Sequence, residues 1–298
     1  MDEGGPATSE LLVRSLEAST VFLFAALGEL VNQRAGVLNV GLEGLMLFGG
    51  TLAFITAQTL GSHGLGVTAG LMIGAFLGLA HGFFTITLRG DQVVSGMGLW
   101  ILSFGLTTYM GNPFTGPLGM ARIPEVLGLS PFVYLGIALV PLTWVLLSRT
   151  SLGLAIRAVG ENPAAAEASG INVSMTRYLC VVWGGMLGGL SGAVYTLSYN
   201  PVWNYNFLQG WGFVSLALVF SSMWNPSILL TGSLLFGVMW QLSLNPELVL
   251  PGFLSRYVWR TVPFITTILI LAVISTPWFR TRWGLARPEA LGRSYAKP

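Results

Sequence analysis

Of 298 residues only 9% are charged, against roughly 25% in an ordinary soluble domain, while 53% are hydrophobic and the mean hydropathy is +0.71. Residues 1–298 therefore read as one integral membrane domain, and the net charge of +2 matters less than where the charges stand. One cysteine, Cys180, excludes an intrachain disulfide and a cysteine-based zinc site, and one lysine, Lys297, at the tail excludes a phosphate-binding P-loop, so this chain does not hydrolyse ATP by that route.

The opening, MDEGGPATSE, is acidic and does not have the basic start of a signal peptide. A membrane-crossing helix needs about 20 mostly apolar residues. Candidate spans follow at 11–32, 36–60, 64–88, 92–112, 126–147, 178–199, 211–223, 227–246 and 257–277. The first is weakened by Arg14, Glu17 and Glu29, of which Glu29 stands five residues from Arg34 and is expected to pair with it. In the second, Asn39 and Glu43 are at i,i+4 and are expected to share a helix face, where they either line a polar path or hydrogen-bond a neighbouring helix. The third carries Gly70, Gly74, Gly78 and Gly82 on one face, and the sixth carries Gly184, Gly188 and Gly192. Each stripe lets another backbone approach closely, within the chain or across a dimer. The fourth places Trp100 and Phe104 at i,i+4, either as core or as faces on which a nucleobase stacks.

The seventh span, GFVSLALVFSSM, is too short to cross alone and ends at WNPS, where Pro226 breaks the helical bonding. A broken helix is tolerated where protein or a water-filled cavity covers its loose backbone, so this one is either buried in the bundle or lines a pathway. The fold expected is all-α: a polytopic bundle of about eight to nine transmembrane helices with at least one broken helix and a short cytoplasmic helix.

Arg34, Arg89, Arg149, Arg157, Arg177 and the tail residues Arg280, Arg282, Arg287, Arg293 and Lys297 fall on one side of this arrangement, and Arg14, Arg122, Arg256 and Arg260 near the other. The excess of positive charge puts the first set in the cytoplasm. Nine crossings then leave the N-terminus outside and the tail, 278–298, inside; without the weak first span the N-terminus would be inside as well. The loop 149–177 is cytoplasmic on this reading and contains RAVGENPAAAEASGI, Arg157–Ile171. Asn162 suits an N-cap, Pro163 the first helical position and Gly170 the left-handed position past the end, with Ala164, Ala165 and Ala166 as strong helix formers between them. A helix of about seven residues is marginal alone in water and takes its stability from packing, either on its own bundle or in the groove of a partner.

RAVGENPAAAEASGINV resembles the cytoplasmic coupling segment of bacterial ATP-binding-cassette importer permeases, in the branch that serves ribose-type sugars, nucleosides and branched-chain amino acids. Three further stretches resemble the same family: GELVNQRAGVLNVGLEGLMLFGG (Gly28–Gly50), GGMLGGLSGAVYTL, and GWGFVSLALVFSSMWNPSILLTGSLLFG (Gly210–Gly237). The resemblance covers most of residues 28–275. NVGLEGLMLFGG and GENPAAA look most like nucleoside permeases, and Ser221 and Ser222 depart from the family's more usual glycines. The resemblance implies a non-enzymatic permease subunit that brings a nucleoside, purine foremost, into the cell, with a simple sugar or a branched-chain amino acid as the alternative. It implies a multi-pass protein of the bacterial plasma membrane whose coupling residues are Gly160, Glu161, Asn162, Pro163, Ala164, Ala165, Ala166, Glu167 and Gly170. It implies no cofactor or metal on this chain, with ATP and Mg held by a separate cytoplasmic ABC ATPase. The other partners implied are a second, different permease subunit, an external substrate-binding lipoprotein or periplasmic protein, and membrane lipid, with no nucleic acid.

Two other functions fit the residues less well. GLSG contains Ser191, but the chain's two histidines, His63 and His81, both precede it, whereas rhomboid-type intramembrane proteases place the His after the Ser, and Ser191 sits beside a glycine packing stripe. A secondary transporter would need ionisable pairs along its spans, and only Glu29 and Glu43 are available.

Overall fold

The computed structural model describes residues 5–245, 256–274, 276 and 287–295. It is a helical bundle built around α1 (Gly5–Arg34) and α8 (Val173–Val194), with α2 (Leu42–Leu60) and α3 (His63–Gly82) packed on α8 and α10 (Pro226–Leu244) packed on α1. Helices α4 (Gln92–Gly111) and α5 (Pro131–Arg149) lie further out and bury less of their surface. Two short helices, α6 (Ser151–Glu161) and α7 (Pro163–Ala168), connect α5 to α8. The remaining elements are α9 (Trp211–Ser221), α11 (Arg256–Trp259) and α12 (Val262–Ile274). Both α3 and α8 end in a π-helical turn, Phe83–Thr87 and Tyr195–Tyr199, and a two-residue antiparallel pair joins Gly116–Pro117 to Val202–Trp203.

Six of the described helices are long and apolar enough to cross a membrane, fewer than the eight or nine expected: Ser9–Arg34, His63–Thr87, Gln92–Phe114, Pro131–Arg149, Val173–Tyr199 and Pro226–Leu244. Helix α2 falls outside that set because it carries Glu43, Thr51, Gln58 and Thr59 along its length. Helix α9 has 11 residues and α12 has 13 described ones. Much of the expected span 257–277 belongs to α12, whereas Arg280, Arg282 and Lys297 of the expected tail lie outside the described residues.

The first span differs most from expectation. It is an unbroken helix whose apolar stretch is 72% buried, with Phe22, Phe24, Leu27 and Leu30 fully enclosed. Its charged groups meet protein instead of lipid. Arg14 pairs with Glu17 at 3.5 Å and also donates to the Tyr199 carbonyl at 3.2 Å, while Glu29 is enclosed by hydrogen-bond donors. The penalty that weakened this span applies to a charge facing hydrocarbon, and a helix surrounded by protein escapes it. Boundaries move for local reasons too. The fifth helix starts at Pro131, after a turn in which Leu127 and Gly128 have φ of 51° and 77°. The eighth starts at Val173, where the Asn172 side chain accepts the Met175 N–H at 2.9 Å.

Glycine sets the closest helix contacts. On α3, Gly70, Gly74, Gly78 and Gly82 are all buried against α8, where a Cβ at Gly74 would collide with the Gly185 carbonyl and one at Gly78 with the Val181 carbonyl. The facing residues on α8 are Gly185 and Gly189, a second stripe not picked out in the sequence. Gly184, Gly188 and Gly192 point to the other side, toward Asn32 of α1 and toward Leu42, Leu45 and Met46 of α2. Thus α8 has two adjacent glycine faces, both buried inside this chain. Gly185→Ala would overpack the α3–α8 contact, and a loss of about 1–3 kcal/mol with a lower folded yield is expected. Gly98→Ala, whose Cβ would have nothing within 4 Å, should match or exceed the wild type because alanine favours helix by about 1 kcal/mol. Thermal unfolding of both variants in detergent checks this, and equal melting temperatures would mean that α3 and α8 need no close approach.

Candidate functional site

The α6–α7 segment is built by local rules. Thr150 Oγ1 accepts the Gly153 N–H at 3.0 Å at the start of α6, whose buried residues Gly153, Ile156, Val159 and Gly160 recur at helical spacing. Helix α7 has six residues, with the Asn162 Oδ1 accepting the Ala165 N–H at 3.0 Å and Pro163 in the first turn. It ends in a Schellman motif: Gly170, at φ +87°, donates to the Glu167 carbonyl at 2.9 Å, and Ile171 donates to the Ala166 carbonyl at 3.0 Å. Ala166 is buried with Val159 and Val173, and Ile171 packs on that cluster. Glu161, Asn162, Ala164, Ala165 and Gly170 are exposed, and Pro163 and Glu167 are half-buried. The result is a short capped helix with a slim alanine face turned outward.

Two neighbours of this segment escaped the sequence reading. Gly160 lies against the last turn of α1, where a Cβ would collide with the Arg34 carbonyl. The C-terminal residues 287–295 pack behind α7: Ala290 donates to the Gly160 carbonyl at 2.9 Å and the Tyr295 hydroxyl donates to Glu167 Oε2 at 2.6 Å. The bond to Glu167 holds the Tyr295 phenol above its ordinary pKa. Arg177 donates to the Ala35 carbonyl at 3.2 Å and to the Arg293 carbonyl at 3.5 Å, so Arg34, Arg177 and Arg293 gather at this one end of the bundle.

The polar residues of the spans are arranged differently from expectation. Asn39 precedes α2, in the turn that leads to it, and its Oδ1 accepts the Gly41 N–H at 2.9 Å. The shared helix face with Glu43 does not exist, because the helix starts only at Leu42. The Glu43 carboxylate accepts N–H groups of Gly210, at 2.9 Å, and Gly212, and so caps the N-terminus of α9. Glu29 does not pair with Arg34. Its Oε1 accepts from Gln33 Nε2 and the Asn39 N–H, both at 3.0 Å, and its Oε2 from Asn32 Nδ2 at 3.0 Å, while Arg34 turns to the Trp224 carbonyl. Trp100 and Phe104 meet rings from the α9 region edge-to-face, Trp100 with Phe213 at 5.4 Å and Phe104 with Tyr205 at 5.2 Å.

A cavity of about 920 Å³ opens at the other end of α1. Arg14, Tyr195, Tyr199, Trp211, Trp240 and Gln241 line it, with Arg122 and Arg260 at the same end. Tyr199 accepts from Gln241 Nε2 at 2.8 Å, and Trp211 is ringed by Phe22, Tyr195, Tyr199 and Trp240 at 4.2–5.3 Å between centroids. None of Asn39, Glu43, Trp100 and Phe104 lines this space. From Arg14 beside the cavity to Arg34 beside Gly160, α1 runs about 30 Å at 1.5 Å per residue, close to the hydrocarbon thickness of a bilayer. About a third of the lining residues sit in SYNPVWNYNFLQGW, which mixes rings and amides without helical or strand periodicity, and the rest are scattered over other segments.

Residues 11–273 match a family described as the permease component of branched-chain amino acid transport systems. A Haloferax volcanii protein named putative glucose ABC transporter permease is 37% identical, over 96% of this chain and 97% of its own length. The guanosine ABC transporter permease of Bacillus subtilis is 33% identical, over 88% of this chain and 91% of its own. A nucleoside ABC transporter permease of Lactococcus lactis is 31% identical over the same shares, 88% and 91%. No solved structure matches the chain. A match across nearly its whole length, joined to a polytopic bundle with an internal broken helix, shows that the chain belongs to this family of transport permeases, the membrane subunits of ATP-binding-cassette importers.

Proposed function

We propose that the chain forms half of the translocation path of an importer for nucleosides. The observation that carries this is the pairing of an aromatic and amide-lined cavity at one end of α1 with an exposed, doubly capped alanine helix at the other. A nucleoside is a flat base on a hydroxylated ring. Stacking on an aromatic side chain is worth about 1–3 kcal/mol per base, and Tyr195, Tyr199, Trp211 and Trp240 supply rings while Gln241, Asn200 and Asn245 supply amides. The names of the guanosine and nucleoside relatives support the same substrate class.

A sugar is the second reading, because the relative named for glucose is 37% identical and rings with amides also suit a hydroxylated ring. In either case the 149–177 loop and the 278–298 tail face the cytoplasm, α7 docks in a separate ATPase that holds ATP and Mg, and an external binding protein delivers the solute to the cavity. Gly160 to Gly170 act as the docking element. Transport is driven only if the ATPase binds the inward and outward states with different affinity.

Two measurements test this reading. In membrane vesicles carrying the complete transporter, excess guanosine should suppress uptake of labelled adenosine more than excess glucose or leucine does, and Trp240→Ala should weaken guanosine competition about tenfold through lost stacking. Better competition by glucose would move the protein to the sugar reading. Ala165→Trp should leave the bundle folded but abolish co-purification with the ATPase, since a large ring replaces the methyl on the exposed face. Wild-type co-purification would make α7 an ordinary surface helix.

A further inference from the structure

The break between α9 and α10 holds the only two consecutive non-glycine residues at positive φ in the described backbone. Met223 and Trp224 are consecutive bulky residues at φ +50° and +57°, in the left-handed region that side chains avoid. Both are buried, so the conformation is not a loop tip free to relax. It is held from α1. Gln33 Oε1 accepts the Trp224 Nε1–H at 2.8 Å, and Arg34 donates to the Trp224 carbonyl from Nε at 3.3 Å and from Nη2 at 3.0 Å. Gln33 is itself fixed, because its Nε2 donates to Glu29.

The same turn of α1 touches the α6–α7 segment. The Arg34 backbone carbonyl lies where a Cβ of Gly160 would be, so the two backbones meet with no side chain between them. Asn162, the cap of α7, follows two residues later. A displacement of α7 therefore has no soft side chain to absorb it before it reaches Arg34. At its other end α9 is tied to α2 by Glu43.

We propose that Gln33 and Arg34 are positioning residues that transmit movement of α7 to the α9–α10 break, through the three hydrogen bonds they make with Trp224. The inference rests on the docking role given to α7 above. Shifting the last turn of α1 loosens those bonds, and the strained pair then relaxes and lets α10 move relative to α9. Two packings with and without these bonds form the two-state element that coupling requires.

The test uses the complete transporter in vesicles, with a reporter Ser222→Cys at the break and native Cys180 replaced by alanine. The quantity read is the change in labelling rate of the reporter by a thiol reagent when ATP is added. Trp224→Phe keeps an aromatic ring and removes the N–H, and Gln33→Met keeps the length and removes the acceptor, together with the donor to Glu29. Each should retain ATPase co-purification and ATP hydrolysis but reduce the ATP-driven change in labelling roughly threefold to tenfold. The double variant should lose less than the sum of the two single ones, because both remove the Gln33–Trp224 bond. An undiminished response in either folded variant overturns the proposal, as does a reporter in the otherwise native transporter that ignores ATP. Absence of the ATPase from the unmutated transporter would instead overturn the docking role of α7.

Discussion

Hydrocarbon offers no hydrogen bonds, and that constraint falls hardest on α9, an 11-residue helix with both ends buried inside the bundle. A helix leaves four N–H groups free at its start and four carbonyls at its end, and each one buried without a partner costs about 1–3 kcal/mol. Glu43 meets the first need with one carboxylate against two N–H groups. The end is met by the turn that follows, where the N–H groups of Ser222, Met223 and Trp224 donate to the Leu218, Phe220 and Val219 carbonyls, and Gln33 and Arg34 of α1 in turn hold the indole N–H and the carbonyl of Trp224. An acid in an apolar helix and two polar residues at the end of another are thus the requirements of one broken helix. They also explain why α2 carries a charge that lowers its hydropathy while remaining central to the bundle.

The second constraint is the distance between backbones. Apolar side chains gain little from meeting each other when lipid is the alternative, so close contact between helix backbones has to supply the association. Helix α8 reaches that contact on two sides through Gly185 and Gly189 toward α3 and Gly184, Gly188 and Gly192 toward α1 and α2. The Gly49–Gly189 and Gly50–Gly192 approaches extend the same packing to α2. Four helices are drawn together in this way, whereas α4 shows only 22% of its apolar stretch buried and keeps the rest for lipid or a partner.

Where local rules decide, the residues are legible in order along the chain. The Asn162 cap, Pro163 and Gly170 are found as expected from RAVGENPAAAEASGI, because capping depends on neighbours a few residues away. The stripe of Gly70 to Gly82 is visible for the same reason. What depends on distant parts of the chain is not visible. The strength of α1 rests on protein around Arg14, Glu17 and Glu29, and a hydropathy window counts these residues as if they met lipid. Glu29 stands near Arg34 in sequence, yet three amide donors outcompete it for the carboxylate. The cavity combines residues from Arg14 to Arg260, so no single segment announces it.

The α6–α7 segment shows how a small helix becomes stiff without becoming bulky. Six residues are too few to hold a helix in water by propensity alone. An N-cap contributes about 1 kcal/mol, and the Schellman turn at the other end satisfies the last carbonyls. The rest comes from behind, where Ala166 sits in an apolar cluster and Tyr295 and Ala290 bond Glu167 and Gly160. Every one of these contacts lies on the inner side or at the ends. The outward face is left as Ala164 and Ala165, which lose no side-chain entropy when covered and present no polar group to desolvate. A face of that kind can be gripped closely by a groove, and because its supports reach α1 through Gly160, a grip on it is a grip on the centre of the bundle.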